Sequence, residues 1–269
     1  MRLASLFVLG FGAAVALAGC AVGSAQAPGA SAPMASSHLD AVQKSALLRI
    51  CTPGDYKPFS FQKPDTTYEG IDVDLMANFS SSLGAKPEWV KTTWANLLPD
   101  LAAGKCDIAV GGVSTTLDRQ KRAFFTQPYM VDGKTAIVRC DDVGKYQTVA
   151  EIDQPGVRTI VNPGGTNERF AKQYFRHSQL IEYPDNVTIF EQILDGHADV
   201  MVTDASETLL QQKLHPGLCS VHPDKPFQFG EKAYLLPRGD VPFQQYVDQW
   251  LHLARSTGEF QAVVDKWLK

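Results

Sequence analysis

The stretch DVMVTDASETLL, Asp199 to Leu210, sets two carboxylates three residues apart where an apolar run gives way to a helical pattern. A carboxylic acid that stays protonated near neutral pH can hand its proton to a poor leaving group. Glu207 is the candidate for that work. The same D-x-x-E spacing fits a capping box, with Asp204 as N-cap and Glu207 folded back onto its amide. On spacing alone the cap is the commoner outcome. Proton donation demands more, because an unperturbed Glu titrates near about 4.3. A helix N-terminus favours the ionised form by about 0.3–1 kcal/mol. Burial in a closed cleft works the other way and can raise a carboxyl pKa by about 3–5, and a neighbouring Asp204 carboxylate pushes in the same direction. Exclusion of water therefore decides the role.

The elements that must position these residues alternate along the chain. LLRICT reads as a strand, IDVDLMANFSSSLG as an amphipathic helix closed by Gly84, KPEWVKT as a strand, NLLPDLAAG as a short helix and CDIAVGG as a buried strand. A second set follows: RTIVNPGG, QLIEYP and ADVMVTD as strands, with TNERFAKQYF, VTIFEQILDG and ASETLLQQKL as helices. KAYLLPRG reads as a further strand, and the C-terminal segment as helices broken at Gly258. Strand and helix in series predict an α/β fold with a largely parallel sheet, here as two similar units in tandem. Ligands of such sheets bind beyond the carboxyl ends of the strands, and two units make a cleft between them. Asp204 and Glu207 lie at one of those strand ends. NPGGTNE is no phosphate-binding Walker loop, since no Gly-Lys-Ser/Thr follows.

The chain has 269 residues, 44% hydrophobic and 20% charged, with a net charge of −4. It therefore has no global basic field to attract nucleic acid. MRLASLFVLGFGAAVALAGC has the anatomy of a secretory signal: one Arg, an apolar run short of a comfortable membrane span, then small residues. Leu17-Ala18-Gly19-Cys20 resembles the bacterial lipobox, whose Cys is lipidated; the other reading is an ordinary signal cleaved near Ala25-Gln26-Ala27. Both predict export to the periplasm, the first with a lipid anchor on the membrane. Residues 1–20 are thus expected as signal peptide and 21–44 as flexible linker and lead-in. Within the latter, 21–37 is too rich in Ala, Ser, Gly and Pro to fold, and spans roughly 20–25 Å as a tether. Apart from Cys20 there are four Cys, which permit three pairings. None has C-x-x-C spacing and the six His form no ligand cluster, so no metal is expected.

GDYKPFSF, YEGIDVDLMANFSSSLGAK, NLLPDLAAGKCDIAVGGVSTTLDRQKRAFFTQPY and NPGGTNERF, in this order, resemble the periplasmic amino-acid-binding proteins of ABC importers over nearly all of residues 45–269. The resemblance implies a two-lobed periplasmic binding protein-like fold of type II, closing on a ligand by a hinge. The first lobe would be 45–138 plus 232–269, and the second 142–228. It further implies that Ser114, Arg119 and Thr166 hold a ligand carboxylate. Arg offers a carboxylate a planar two-pronged fork, and the helix opening at Thr166 offers free backbone amides. A solvated Arg119 in DRQKR is the plain alternative. In amino-acid receptors the Asp at the position of Asp204 accepts the ligand's ammonium. The same resemblance suggests a Cys140–Cys219 disulfide, flanking one domain; Cys51 and Cys106, within strand-like runs, read as buried thiols.

A narrower set, including DGKTAI, IVNPGGTNERFA, YPDNVTIFEQILDGHAD, TDASE and EKAYLLP, resembles the cyclohexadienyl dehydratases, exported enzymes built on this fold. That resemblance implies conversion of prephenate to phenylpyruvate and of arogenate to phenylalanine, with loss of water and carbon dioxide and no cofactor. The family's polar pocket residues fall on Asp55, Trp94, Lys134, Asn167 and Glu207. Glu207 would protonate the leaving ring hydroxyl, Asn167 hold it, and Lys134 and Arg119 grip the two anionic groups of a dicarboxylate. Trp94 and Tyr56 would pack on the ring, Tyr56 being equally well a core aromatic. The competing expectation is a lipid-anchored amino-acid receptor that serves an ABC permease and does no chemistry.

Overall fold

The computed structural model describes residues 37–269. The expected signal peptide, the lipidation site Cys20 and the tether over 21–36 lie outside these residues. Among the described residues, no helix is long and apolar enough to cross a membrane.

Two sheets organise the chain. In the first, strands run in the spatial order Lys86–Lys91, Leu47–Thr52, Ile108–Ala109, Leu235–Leu236 and Phe124–Phe125. The first three are parallel and the last two pair antiparallel. Side chains alternate across it. Leu48, Ile50 and Leu236 pack against the helices Ile71–Ser82 and Val241–Ser256, while Cys51, Ala109 and Leu235 pack against the short helix Leu97–Ala102. Helices on both faces explain why these strands read as nearly continuous apolar runs.

The second sheet follows the order Gln179–Glu182, Arg158–Val161, Val200–Asp204, Met130–Arg139 and Leu218–Val221. The same alternation sends Val200, Val202 and Ala136 to one core and Met201 and Ile137 to the other. The expected end of the first lobe at 138 therefore falls inside a strand of the second sheet. Ala136, Ile137 and Val138 are buried in that sheet's cores, so the chain has crossed over before them.

The crossing is made by two strands side by side. Met130–Arg139 pairs antiparallel with Gln228–Lys232, with Met130 opposite Lys232 and Lys134 opposite Gln228. Gly133 allows this close approach, since a Cβ there would sit 2.4 Å from the Gln228 carbonyl oxygen. From the same two strands the chain ties back to the first lobe: Tyr129 N donates to Lys232 O and Thr115 N to Glu231 O.

Two expectations need correction. Residues 38–44, expected as lead-in to the fold, belong to a helix, His38–Ser45. Ser37 caps it, His38 N donates to Asp240, and Val42 enters the first core. Cys51 and Cys106, expected as thiols, are bonded to each other, because Cys106 leads into the strand that pairs with the one carrying Cys51. Cys140 and Cys219 form the second disulfide, next to the pairing of Met130–Arg139 with Leu218–Val221.

Candidate functional site

Asp204 ends the strand Val200–Asp204 with extended backbone and precedes the helix Ala205–Leu214, but its side chain caps nothing. Strand register sends that side chain elsewhere. Asp204 lies directly opposite Lys134 on Met130–Arg139, a placement that sets two side chains side by side. Lys134 Nζ donates to Asp204 Oδ1 at 2.8 Å, and Lys232 Nζ, from the other crossing strand, donates to Oδ2 at 2.5 Å. Tyr56 Oη, from the first lobe, donates to Oδ2 as well, at 2.5 Å. Burial pushes the Asp204 carboxyl up, but the two ammonium groups outweigh it and hold the group well below the ordinary carboxylate range. Burial in turn pulls Lys134 down, against the attraction of Asp204.

Lys134 also donates to Thr166 Oγ1 at 3.0 Å and to Asn167 Oδ1 at 2.5 Å, at the start of the helix Thr166–Tyr174. Asn167 Nδ2 donates to Thr203 Oγ1 at 2.8 Å, and the Thr203 hydroxyl donates to Glu207 Oε2 at 2.5 Å. Glu207 is 1% exposed. Its pKa is pushed up to about 8 by burial, opposed first by the Thr203 hydrogen bond and reinforced by Asp204. The capping box is therefore not formed: Asp204 turns to two lysines, and Glu207 faces the interior. Glu207 does not line the cleft surface itself. It stands one hydroxyl behind Asn167.

The facing wall comes from the first lobe. Trp94 Nε1 donates to Asp55 Oδ1 at 3.0 Å, and the Tyr56 and Trp94 rings meet edge to face at 5.5 Å. Burial raises the Asp55 pKa to about 6, against the Trp94 hydrogen bond. Arg119 is not solvated: it is 6% exposed, and its Nη1 donates to the Ser114 carbonyl at 2.8 Å. Among the described residues no carboxylate pairs with it, and burial, then Arg169, lower its pKa to about 10. A buried cation with no carboxylate in contact is a costly arrangement that an incoming anion would relieve.

Tyr56, Trp94, Ser114, Arg119, Thr166, Asn167 and Asp204 line one cavity of about 20 Å³. The lobes touch across it. Asn186 Nδ2 donates to the Asp55 carbonyl, and a Cβ on Gly164 would lie 2.9 Å from Ala95 N. Sequence reasoning missed Thr203, Asn186 and Lys232. Thr203 and Asn186 look like ordinary strand and turn residues. The signal for Lys232 was a lone cation entering the apolar run KAYLLP. Among the described residues no three His, Cys, Asp or Glu side chains gather to hold a metal.

Residues 48–269 match the profile of bacterial extracellular solute-binding proteins, family 3. The chain belongs to that family. Within it, the chain is 52% identical over 233 residues to a cyclohexadienyl dehydratase of Pseudomonas aeruginosa, covering 87% of each chain. It is 25% identical to the L-cystine-binding protein TcyJ of Escherichia coli, over 85% of each. Among solved structures, it resembles an ancestral amino-acid-binding protein described as a precursor of cyclohexadienyl dehydratase, with TM-score 0.81 and 33% identity over 87% of this chain and 100% of that one. It also resembles an ancestral cyclohexadienyl dehydratase, with TM-score 0.56 and 47% identity over 87% and 98%. As a family 3 solute-binding protein the chain has two α/β lobes with its polar cleft between them.

Proposed function

We propose that this family member is a cyclohexadienyl dehydratase that acts on prephenate and arogenate outside the cytoplasm. The observation that carries the proposal is Glu207: a buried acid, still protonated at neutral pH, joined through Thr203 to the Asn167 and Lys134 of the cleft. Solute capture alone requires no such group. The identity to the Pseudomonas enzyme supports the same reading.

Prephenate brings two carboxylates. Arg119 supplies an unpaired buried cation for one. Lys134 and the amides opening the helix at Thr166 supply donors for the other. Tyr56 and Trp94 pack against the ring, and Asn167 orients the ring hydroxyl toward Glu207. Because Glu207 stands behind the Asn167–Thr203 contact, the ring hydroxyl reaches it by taking the place of Asn167 at Thr203; the proton of Glu207 then passes to that hydroxyl, the carbon–oxygen bond breaks and water leaves. The bond from the ring to its carboxylate breaks in turn, carbon dioxide leaves, and the electron pair completes the aromatic ring. Glu207, now a carboxylate, is reprotonated from solvent when the lobes part. Substrate, one proton and this chain's side chains balance the reaction.

The export signal and the lipobox extend the proposal to a periplasmic enzyme carried on a lipid at Cys20. Mixing purified protein with prephenate and following phenylpyruvate absorbance tests the activity. A steady rise is expected. No product from prephenate or arogenate, together with a rise in melting temperature on adding free amino acids, would instead assign the chain to solute capture for an ABC permease.

A further inference from the structure

We infer that Lys232, together with Lys134, closes Asp204 to the ligand and thereby makes the cleft select an α-keto side chain over an α-ammonium one. The inference rests on the dehydratase reading and adds to it the order of preference between the two substrates. Both carry the same ring and the same carboxylates. They differ only in whether the side chain ends in a neutral ketone or a cationic ammonium beside its carboxylate.

Among the described residues, Asp204 is the one carboxylate that lines the cavity. An ammonium seeking a partner there meets a group already occupied: Oδ1 by Lys134, and Oδ2 by both Lys232 and Tyr56. A carboxylate accepts about four hydrogen bonds, and three come from buried donors. The charges around it are also spoken for. Lys134, Lys232 and Arg119 face Asp204 and Asp132, whose Oδ2 lies 3.9 Å from Lys232, while Glu207 carries its proton. Counting Asp55 on the facing wall, cations and carboxylates balance over the cleft as a whole, but next to Asp204 two ammonium groups crowd one carboxylate and the local charge is positive. A further cation beside Asp204 is repelled, whereas a ketone oxygen adds no charge and escapes that repulsion.

Lys232 is the decisive residue of the pair, because Lys134 also serves Thr166 and Asn167. Lys232 is 1% exposed and lies on a crossing strand, with Ser114 Oγ of the first lobe 3.2 Å from its Nζ. The rings of Tyr56 and Phe59 lie 5.2 and 5.4 Å from the same atom. Ring faces attract a cation and keep it in place.

The test is kcat/KM for prephenate and arogenate in wild type, Lys232→Met, Lys232→Arg and Asp204→Asn. Wild type is expected to favour prephenate by about tenfold or more, in line with the penalty for like charges. Lys232→Met is expected to shift the ratio about tenfold toward arogenate, and Lys232→Arg to keep it. Because Lys232 also faces Glu207, absolute rates change in the variants, but both substrates share that effect and the ratio removes it. Asp204→Asn is expected to lower both substrates alike; a selective loss of arogenate would mean Asp204 accepts the ammonium and would overturn the inference. Equal wild-type efficiencies, or an unchanged ratio in Lys232→Met, would overturn it too while leaving the dehydratase reading intact. If wild type turns over neither substrate, the reading itself fails and the inference with it.

Discussion

Glu207 holds its proton because two opposing effects differ in size. Burial raises its pKa far more than the Thr203 hydroxyl lowers it, and the result is about 8 against an ordinary 4.5. Activity that needs the protonated acid is therefore expected to fall as pH rises through about 8. Thr203→Val removes the one hydrogen bond that favours the ionised form, so the alkaline limb of the kcat profile is expected to move to higher pH. A limb that stays put would exclude Thr203 as a regulator of the acid. Stability carries the same signature. The folded pKa lies above the unfolded one, so the contribution of Glu207 is full below pH 4.5 and is lost as pH rises from there through about 8. Melting temperatures of wild type and Glu207→Gln are expected to move in favour of Gln as pH rises from 4.5 to about 8, and to keep a constant difference beyond.

At the scale of elements, the long strand Met130–Arg139 sets the site more than any helix does. Its register against Val200–Asp204 puts Lys134 beside Asp204, and its pairing with Gln228–Lys232 brings the second lysine in. This is also where the sequence was least legible. VDGKTAIV has two charges, a glycine and a threonine together, which weakens an apolar strand signal, and the strand serves both lobes. Strands such as Leu47–Thr52 and helices such as Ile71–Ser82 were readable because their periodicity reports a buried face. The cleft residues were nameable from motif resemblance, but not the hydrogen bonds among them, which depend on register between segments far apart in the chain. The disulfides show the same limit: four cysteines allow three pairings, the resemblance named Cys140–Cys219, and only strand adjacency revealed Cys51–Cys106. Each bond spans a long loop, of 55 and 79 residues. Replacing either pair by Ser is expected to destabilise the fold by about 2–5 kcal/mol in denaturant unfolding. A difference under about 0.5 kcal/mol would show that the loop was already constrained.

For the whole molecule, closure and chemistry are one arrangement. Tyr56 reaches Asp204, Asn186 reaches the Asp55 carbonyl, and Lys232 touches Ser114, so each closing contact carries at least one group that lines the cleft. A cavity of about 20 Å³ has room for little more than a water. A ring-sized substrate therefore enters only after the lobes part at the two crossing strands. Glu207 regains its proton from solvent while the lobes are apart, and closing again shuts water away so that the acid keeps it, which ties turnover to the hinge. The central claim is that this buried acid supplies the proton. Its most direct test is kcat and KM for prephenate in Glu207→Gln. We expect kcat to drop by about 10²–10⁴ with KM nearly unchanged; turnover equal to wild type would contradict the account.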